Sequence, residues 1–410
     1  MIDNKNDLLL KERAAKVIPG GMYGHQNTRP LPSAFPQFIS RGKAGHIWDA
    51  DGNKYIDFMS SYGPIILGHC HNKVDEAVVQ QLKKGDCFNG PSPIIVELAE
   101  QFCSRVAHAQ WSLFAKNGTD ATTICVSIAR AFSNKSKILV AKGAYHGAAP
   151  WCTPAPAGTT PEDKKNQIHY VFNDIESVEE AIIEAGNDLA GILVSAFKHD
   201  NVIDQELPTV EFAQYLRSRC DELDAALIVD EVRAGFRLSE DASWSLLNVQ
   251  PDLTAWSKAI ANGYPLAAIL GGDKYKKAAR SVFTTGSFWF AAASMVAAST
   301  TLELIRSEDV IRRIEHLGQS FRNGFEQQAN NYKIDISQSG PAQMPLILFK
   351  DDTIENKERG NFFTNEAVKL GLYLHPRHNM FFNGGHTEDD IHQALQITEQ
   401  AFAALKQNYY

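Results

Sequence analysis

The sequence runs to 410 residues, 44% of them hydrophobic and 21% charged, with a formal net charge of -8. That length exceeds the roughly 250–300 residues at which a single core stops growing, so a large and a smaller domain are expected. Scattered Lys and Arg in an acidic chain leave no footprint for nucleic acid or an anionic membrane, and the apolar stretches 265–272 and 288–298 are too short to span a bilayer.

In chain order, the first 21 residues are charged (Asp3, Lys5, Asp7, Lys11, Glu12, Arg13) and lack the apolar core of an export signal. A cytoplasmic location is the expectation, and six scattered cysteines without a CxxC pair suit reduced thiols. His69-Cys70-His71 reads as a turn rather than a ligand set, because neighbours in an extended segment face opposite ways; no metal is expected. Ser92-Pro93 opens a helix with Ile95, Leu98, Ala99, Phe102 and Val106 along one stripe. A second helix follows Asn117-Gly118-Thr119, with Ala121, Ile124, Cys125, Ile128 and Phe132 inward. Apolar runs at 137–141, 189–194, 225–229, 253–256 and 266–270 alternate with helical segments, the pattern of an α/β fold with a mainly parallel sheet. Val310, Ile314, Leu317, Phe321 and Phe325 make a third stripe, 350–360 reads as a loop, and a closing helix capped at Thr387 turns Ile391, Leu395, Phe402 and Leu405 inward. The boundaries expected are an N-terminal arm over 1–59, a large domain over 60–300 and a C-terminal small domain over 301–410.

Two apolar runs end in chemistry. Residues 225–229 lead into Asp230-Glu231, which sets a carboxylate at the C-terminal end of a buried strand, where open α/β sheets hold ligands. Alone, such an acid is equally a helix N-cap. The run 253–256 leads into Ser257-Lys258, and a lysine there is costly unless solvated, paired or covalently used. An amine that forms a Schiff base and a carboxylate that keeps a pyridine nitrogen protonated are what pyridoxal 5'-phosphate (PLP) chemistry requires. Lys258 and Asp230 are therefore the candidate catalytic residues. Asn117-Gly118-Thr119 offers a glycine turn and helix N-terminus for the phosphate, though such a triplet is also an ordinary turn and cap. Tyr145-His146-Gly147 follows the 137–141 strand, where an aromatic ring can stack on the pyridine; a surface turn would look the same.

With these pieces in place the sequence resembles a class III aminotransferase of fold type I, closest to the glutamate-1-semialdehyde aminomutase branch, from about Pro19 to the end. The matching pieces are Ile47 to Asp57, Leu67 to His71, Asn117 to Ala121, Tyr145-His146-Gly147, Asp230-Glu231-Val232, Gly235-Phe236-Arg237, Pro251-Asp252-Leu253 and Ser257-Lys258. The resemblance implies a large PLP domain built on a mainly parallel seven-stranded sheet, with a smaller α+β domain formed by the N-terminal arm and the C-terminal third. It implies that Asn117, Gly118 and Thr119 hold the phosphate and that Tyr145 stacks on the ring, with His146 beside it. Val232 covers the other face, Asp230 meets the ring nitrogen and Lys258 carries the cofactor. Ser287, after Gly286, stands where a family threonine reaches the phosphate from the partner subunit, which implies a homodimer.

Departures from that pattern fall on the substrate side. Ser195-Ala196 replaces the family's Glu-Pro, Arg233 follows Asp-Glu-Val where a neutral residue is usual, and Phe290-Ala291-Ala292 replaces Gly-Asn-Pro. The segment 376–380 lacks the glutamate of the aminomutase branch, which favours transfer between two small molecules, an amino donor and a carbonyl acceptor. Arg29, two positions beyond the family's N-terminal carboxylate-binding arginine, and Arg377 are the candidate substrate anchors, because a guanidinium grips a carboxylate with two parallel bonds. Phe288, Trp289, Phe290 and Phe381 fit either an apolar substrate or packing against a partner subunit. An aminomutase or a racemase would need the same Lys258 and Asp230, and a catalytically dead α/β binding protein is the reading from another class; no GxGxxG or GxxxxGK[ST] run supports the last.

Overall fold

Helix α1 (Lys5–Val17) owes its position to an acid in its first turn: Asp7 accepts from the backbone N–H of Gln37 at 2.8 Å and Phe38 at 2.9 Å, while Lys11 pairs with its other oxygen. No apolar stripe announces this helix, and Asp7 and Ala14 are its only buried residues. Strands β1 (Ile39–Lys43), β2 (His46–Asp49) and β3 (Lys54–Asp57) follow as an antiparallel meander. The β2–β3 turn is organised by Asp49, which accepts from the N–H groups of Asp51 and Asn53 and from the Tyr55 hydroxyl. His69, at the Gly68 turn, lies 2.8 Å from Asp57.

The computed structural model describes residues 4–200 and 202–410, and it divides into two units. The first unit comprises 4–71, 202–204 and 312–410; the second comprises 72–200 and 205–311. Residues 60–71 thus fall with the first unit, for a visible reason: Ser60 Oγ donates to Phe381 O at 2.8 Å, Asn383 Nδ2 donates to Ser60 Oγ at 2.9 Å, and Gly384 N donates to Ile66 O at 2.7 Å.

The second unit contains α2 (Asn72–Leu82), α3 (Ile94–Arg105), β4 (Trp111–Ala115), α4 (Gly118–Ser133), β5 (Lys137–Ala141), α5 (Pro161–Lys164), β6 (Gln167–Tyr170) and α6 (Ile175–Ala185). It continues with β7 (Leu189–Ser195), α7 (Val210–Leu223), β8 (Ala226–Asp230), β9 (Leu253–Trp256), β10 (Ala267–Gly271), α8 (Asp273–Ser281) and α9 (Ala292–Ser307). Its seven strands lie in the order β4-β10-β9-β8-β7-β5-β6. The neighbours from β9 to β6 are all parallel, and every residue of β7, β8 and β9 is buried, as expected of strands covered on both faces. β10 is the exception, antiparallel to both β9 and β4. The link from β9 to β10 holds only a single 3-10 turn, Lys258–Ala261, too short for the helical crossover that a parallel neighbour needs.

The chain returns to the first unit within α10 (Val310–Tyr332), then forms β11 (Ile336–Ser339), β12 (Leu346–Phe349), α11 (Glu358–Lys369), β13 (Leu372–Tyr373) and α12 (Glu388–Tyr409). Strand β13 pairs parallel with β3, completing a four-stranded sheet β1-β2-β3-β13. The loop expected over 350–360 ends earlier, at Lys357, because Asp352 accepts from the N–H groups of Arg359 and Gly360 and so starts α11. Phe321, Phe325, Phe349, Phe363 and Phe402 pack against one another to form this unit's aromatic core.

Candidate active site

In the second unit one edge of the sheet gathers the C-terminal ends of β4, β5, β7, β8 and β9, because two successive antiparallel pairings through β10 restore β4 to the direction of the parallel strands. A cavity of about 210 Å³ opens there, lined by Asn117, Gly118 and Thr119 after β4, Tyr145, His146 and Gly147 after β5, His199 after β7, Asp230, Val232 and Arg233 at and after β8, and Lys258 after β9. Reversed β10 contributes nothing to it. Lys258 and Asp230 thus face the same space, as do eight of the nine expected cofactor-binding residues; Ser287 is elsewhere, exposed on the loop between α8 and α9.

Asp230 is buried with both oxygens engaged. Oδ1 accepts from the Val232 N–H at 2.9 Å, and Oδ2 lies 2.7 Å from His146 Nδ1. With the aspartate ionised, Nδ1 is the donor, so His146 orients the carboxylate while its own Nε2 is buried without a hydrogen-bond partner. Lys258 is half-buried, and burial brings its amine down to about 7; Arg233 adds to that effect and Asp230 opposes it. Its backbone is left-handed, at φ 53°, which is unusual for a residue with a side chain. The preceding Ser257 hydroxyl holds the turn in place by donating to Leu266 O at 2.8 Å.

The N-terminus of α4 is prepared for an anion. Asn117 caps it by accepting from the Asp120 N–H, and the Asp120 carboxylate accepts from the Asn117 N–H in return; the capping box does not use the N–H groups of Gly118 and Thr119, residues that line the cavity. Thr119 Oγ1 accepts from the Ala148 N–H at 3.1 Å, leaving its hydroxyl hydrogen to donate. Two glycines make this arrangement possible. A Cβ on Gly118 would lie 2.7 Å from Val232 Cγ1, and one on Gly147, at φ +128°, would lie 2.5 Å from Thr119 Oγ1. These residues fit PLP: backbone donors at a helix end suit its phosphate, a buried carboxylate suits a protonated pyridine, and a partly deprotonated amine suits Schiff-base formation.

Both substrate-anchor candidates belong to the first unit and are absent from this cavity's lining. Arg29 is exposed, its guanidinium donating to Gly20 O; Arg377 donates its backbone N–H to His375 Nδ1 at 3.0 Å and holds its Nε buried without a hydrogen-bond partner. Sequence reasoning did not foresee His199, Thr122 or Gly147 in the lining, nor His146 as the partner of Asp230. His146 carried a signal, as a histidine just after the C-terminal end of β5, two strands along from β8; His199 carried none. Where the resemblance leads one to expect a glutamate at the end of β7, the Ser195 hydroxyl is buried with no hydrogen-bond partner. No helix among the described residues is long and apolar enough to cross a membrane.

Comparison with known proteins accords with this geometry. A family model described as aminotransferase class-III matches residues 29–402. The chain is 45% identical over 400 residues to an aminopentol aminotransferase of Sphingopyxis macrogoltabida, spanning 98% of this chain and 94% of that one. It is 29% identical over 427 residues to a glutamate-1-semialdehyde 2,1-aminomutase of Alkaliphilus metalliredigens, spanning 97% and 96%. Among solved structures, the PLP internal aldimine form of the Sphingopyxis sp. MTA144 FumI protein superposes with a TM-score of 0.97 at 44% identity, covering 99% of this chain and 97% of that one.

Proposed function

The chain belongs to the class III aminotransferases and is PLP-dependent, moving an amino group between a donor and a carbonyl acceptor; from that premise we propose how its residues share the work. When bound, the cofactor supplies an electron sink, a protonated ring that delocalises the electron pair left as a proton leaves the carbon bearing the substrate nitrogen. Lys258 Nζ would anchor the cofactor at rest and, once released, would carry a proton from that substrate carbon to the carbon on the other side of the transferred nitrogen, two atoms along. An amine whose pKa lies near 7 is matched to that exchange at neutral pH. Asp230 holds the proton on the ring nitrogen, and His146 keeps the carboxylate aimed. The N–H groups of Gly118 and Thr119, the Thr119 hydroxyl and the Asn117 cap bind the phosphate, while Tyr145 and Val232 enclose the ring between them.

The observation that carries this assignment is the shared cavity of Lys258, Asp230 and the open end of α4. Borohydride reduction of the coloured holoenzyme followed by peptide mapping tests it. The reduced cofactor is expected on the peptide containing Lys258, and a tag on any other lysine would overturn the assignment.

The amino donor we propose is an amino-polyol of the kind named for the Sphingopyxis relative, supported by identity extending over nearly the whole of both chains. For a carboxylate on the acceptor we propose Arg377 and Arg29 as anchors, Arg377 having the better support in its buried, unpartnered Nε. Replacing Arg377 by Ala should raise the acceptor KM and leave the cofactor's visible absorbance alone; an unchanged KM removes it. We also propose a homodimer in which Ser287 reaches the partner's phosphate site. Phe283 and Phe288, on the same loop, are 91% and 68% exposed, an apolar surface that a second subunit would cover. A monomer by sedimentation at micromolar concentration would discard that part. A cytoplasmic location is proposed on the six free cysteines.

A further inference from the structure

The segment after β5 gives the cofactor cavity Tyr145, His146 and Gly147, yet no helix or strand holds it in place. What fixes it is a row of threonines on α4. Thr119 Oγ1 accepts from the Ala148 N–H at 3.1 Å, and Thr123 Oγ1 accepts from the Trp151 indole N–H at 2.9 Å. Between them Thr122 Oγ1 donates to His146 O at 2.7 Å. A hydroxyl has one proton to give. Thr122 has two acceptors within its own helix, Gly118 O at 3.1 Å and Thr119 O at 3.2 Å, the back-bond that a threonine ordinarily makes there. The shorter distance sends the proton to His146 instead.

Resting on the assignment of Asp230 to the ring nitrogen, we propose that Thr122 is a positioning residue of the active site, whose hydroxyl fixes His146 and through it the aim of Asp230. Among the described residues His146 makes two hydrogen bonds, one from its ring to Asp230 Oδ2 at 2.7 Å and one at its carbonyl from Thr122. Its Nε2 is buried without a partner. An imidazole held at one nitrogen can swing about that bond, so its place has to come from its backbone. Asp230 has Oδ1 tied to the Val232 N–H within its own turn, and Oδ2 tied to His146. The line of contact therefore runs from Thr122 through His146 and Asp230 to the ring nitrogen. Thr122 and His146 are both buried, so a carbonyl deprived of this hydroxyl finds no water to replace it.

The same bond relates the two ends of the cofactor. The start of α4 takes the phosphate and Asp230 takes the nitrogen, and the rigid ring between them demands a nearly constant spacing. Thr122, just past the first turn of α4, braces the helix against the residue that aims Asp230. The phosphate end is secured without it, by the capping box of Asn117 and Asp120. Loss of the hydroxyl is therefore felt at the nitrogen and spares the phosphate.

The test uses holoenzyme reconstituted with PLP isotopically labelled at the ring nitrogen, whose NMR resonance reports whether a proton sits there. Thr122→Val removes the hydroxyl and keeps the shape. It should move the resonance toward the unprotonated position and slow the half-reaction about tenfold, the worth of one buried hydrogen bond, with cofactor affinity within about threefold of the parent. Thr122→Ser keeps a hydroxyl and should bring back both the resonance and the rate. Should Thr122→Val not fold, Thr122→Ala, which suits a helix better, carries the same expectations. An unmoved resonance in the hydroxyl-free variant would overturn the proposal whatever happens to rate or heat stability, because a merely structural role leaves the nitrogen protonated. A serine variant that behaves like the valine one would overturn it too, since the hydroxyl would then not be the working group. The parent spectrum separates the two levels of the argument. An unprotonated nitrogen in the parent defeats the assignment of Asp230 and the proposal with it, whereas a parent and a valine variant protonated alike defeat Thr122 alone.

Discussion

Strand β3 ends at Asp57 and strand β8 at Asp230, both buried and both set in apolar strand sequence. Asp57 Oδ1 accepts from the N–H groups of Met59 and Ser60, and its Oδ2 lies 2.8 Å from His69; Asp230 Oδ1 accepts from the Val232 N–H, and its Oδ2 lies 2.7 Å from His146. The local motif is the same, and the surroundings differ. Beside Asp57 the neighbouring polar groups are matched to one another, with Ser60, Asn383 and the Phe381 carbonyl joined in hydrogen bonds. Beside Asp230 lies a cavity with an amine on it. An Asp–His pair at a strand end is therefore a way of finishing a strand, and it acquires chemistry only where an open space and a reactive partner adjoin it.

The comparison can be broken most forcefully at the amine. Replacing Lys258 by Ala should lower kcat by roughly 10³-fold or more and abolish the cofactor's imine absorbance; appreciable turnover would place the chemistry elsewhere. Next come the two aspartates exchanged one at a time. Asp230→Ala should cost about 10²–10³-fold in the half-reaction rate, followed by stopped-flow absorbance. Asp57→Ala should leave that rate within about twofold while lowering unfolding stability by about 1–3 kcal/mol, the cost of stranding buried donors. Equal losses of rate would erase the distinction between them.

A smaller effect is expected at the phosphate cradle. Gly118→Ala drives a methyl against Val232, and about a tenfold loss of cofactor affinity is expected, with partial recovery in the double variant carrying Val232→Ala. The smallest effect is one of pH. The Lys258 amine, held at about 7 in the folded protein, lies near 10.5 when unfolded. Between those values the unfolded chain retains a proton that the folded chain has shed, so this group makes the cofactor-free protein more stable as pH rises through that window. Lys258→Met should flatten that rise in urea-unfolding midpoints; an identical slope would show that the amine is not held low.

Much of the second unit was legible because its message is local. Five apolar runs marked strands, and Asp230 and Lys258 stood directly after two of them, so strand-end placement followed from the pattern. The reversal of β10 was hidden because a fully buried strand looks alike in either direction and only the brevity of its connection reveals its sense. His199 was hidden because its place depends on where the chain goes after β7, which no periodicity encodes. Helix α1 was hidden because a polar contact, Asp7 to the backbone at Gln37 and Phe38, secures it in place of an apolar stripe. Arg233 stood out in sequence only as a departure from the usual neutral residue, and its place in the cavity lining became visible only in the fold.

The left-handed backbone at Lys258 has an implication for how such a protein can be improved. A residue with a Cβ gives up about 1 kcal/mol to sit there, while glycine sits there freely. Selection for robustness alone would thus reward losing the lysine, and a screen of position 258 for heat resistance should enrich the inert glycine form over the working one. Durability and turnover pull in opposite directions at this one bond rotation, so any gain in hardiness has to be sought at other positions.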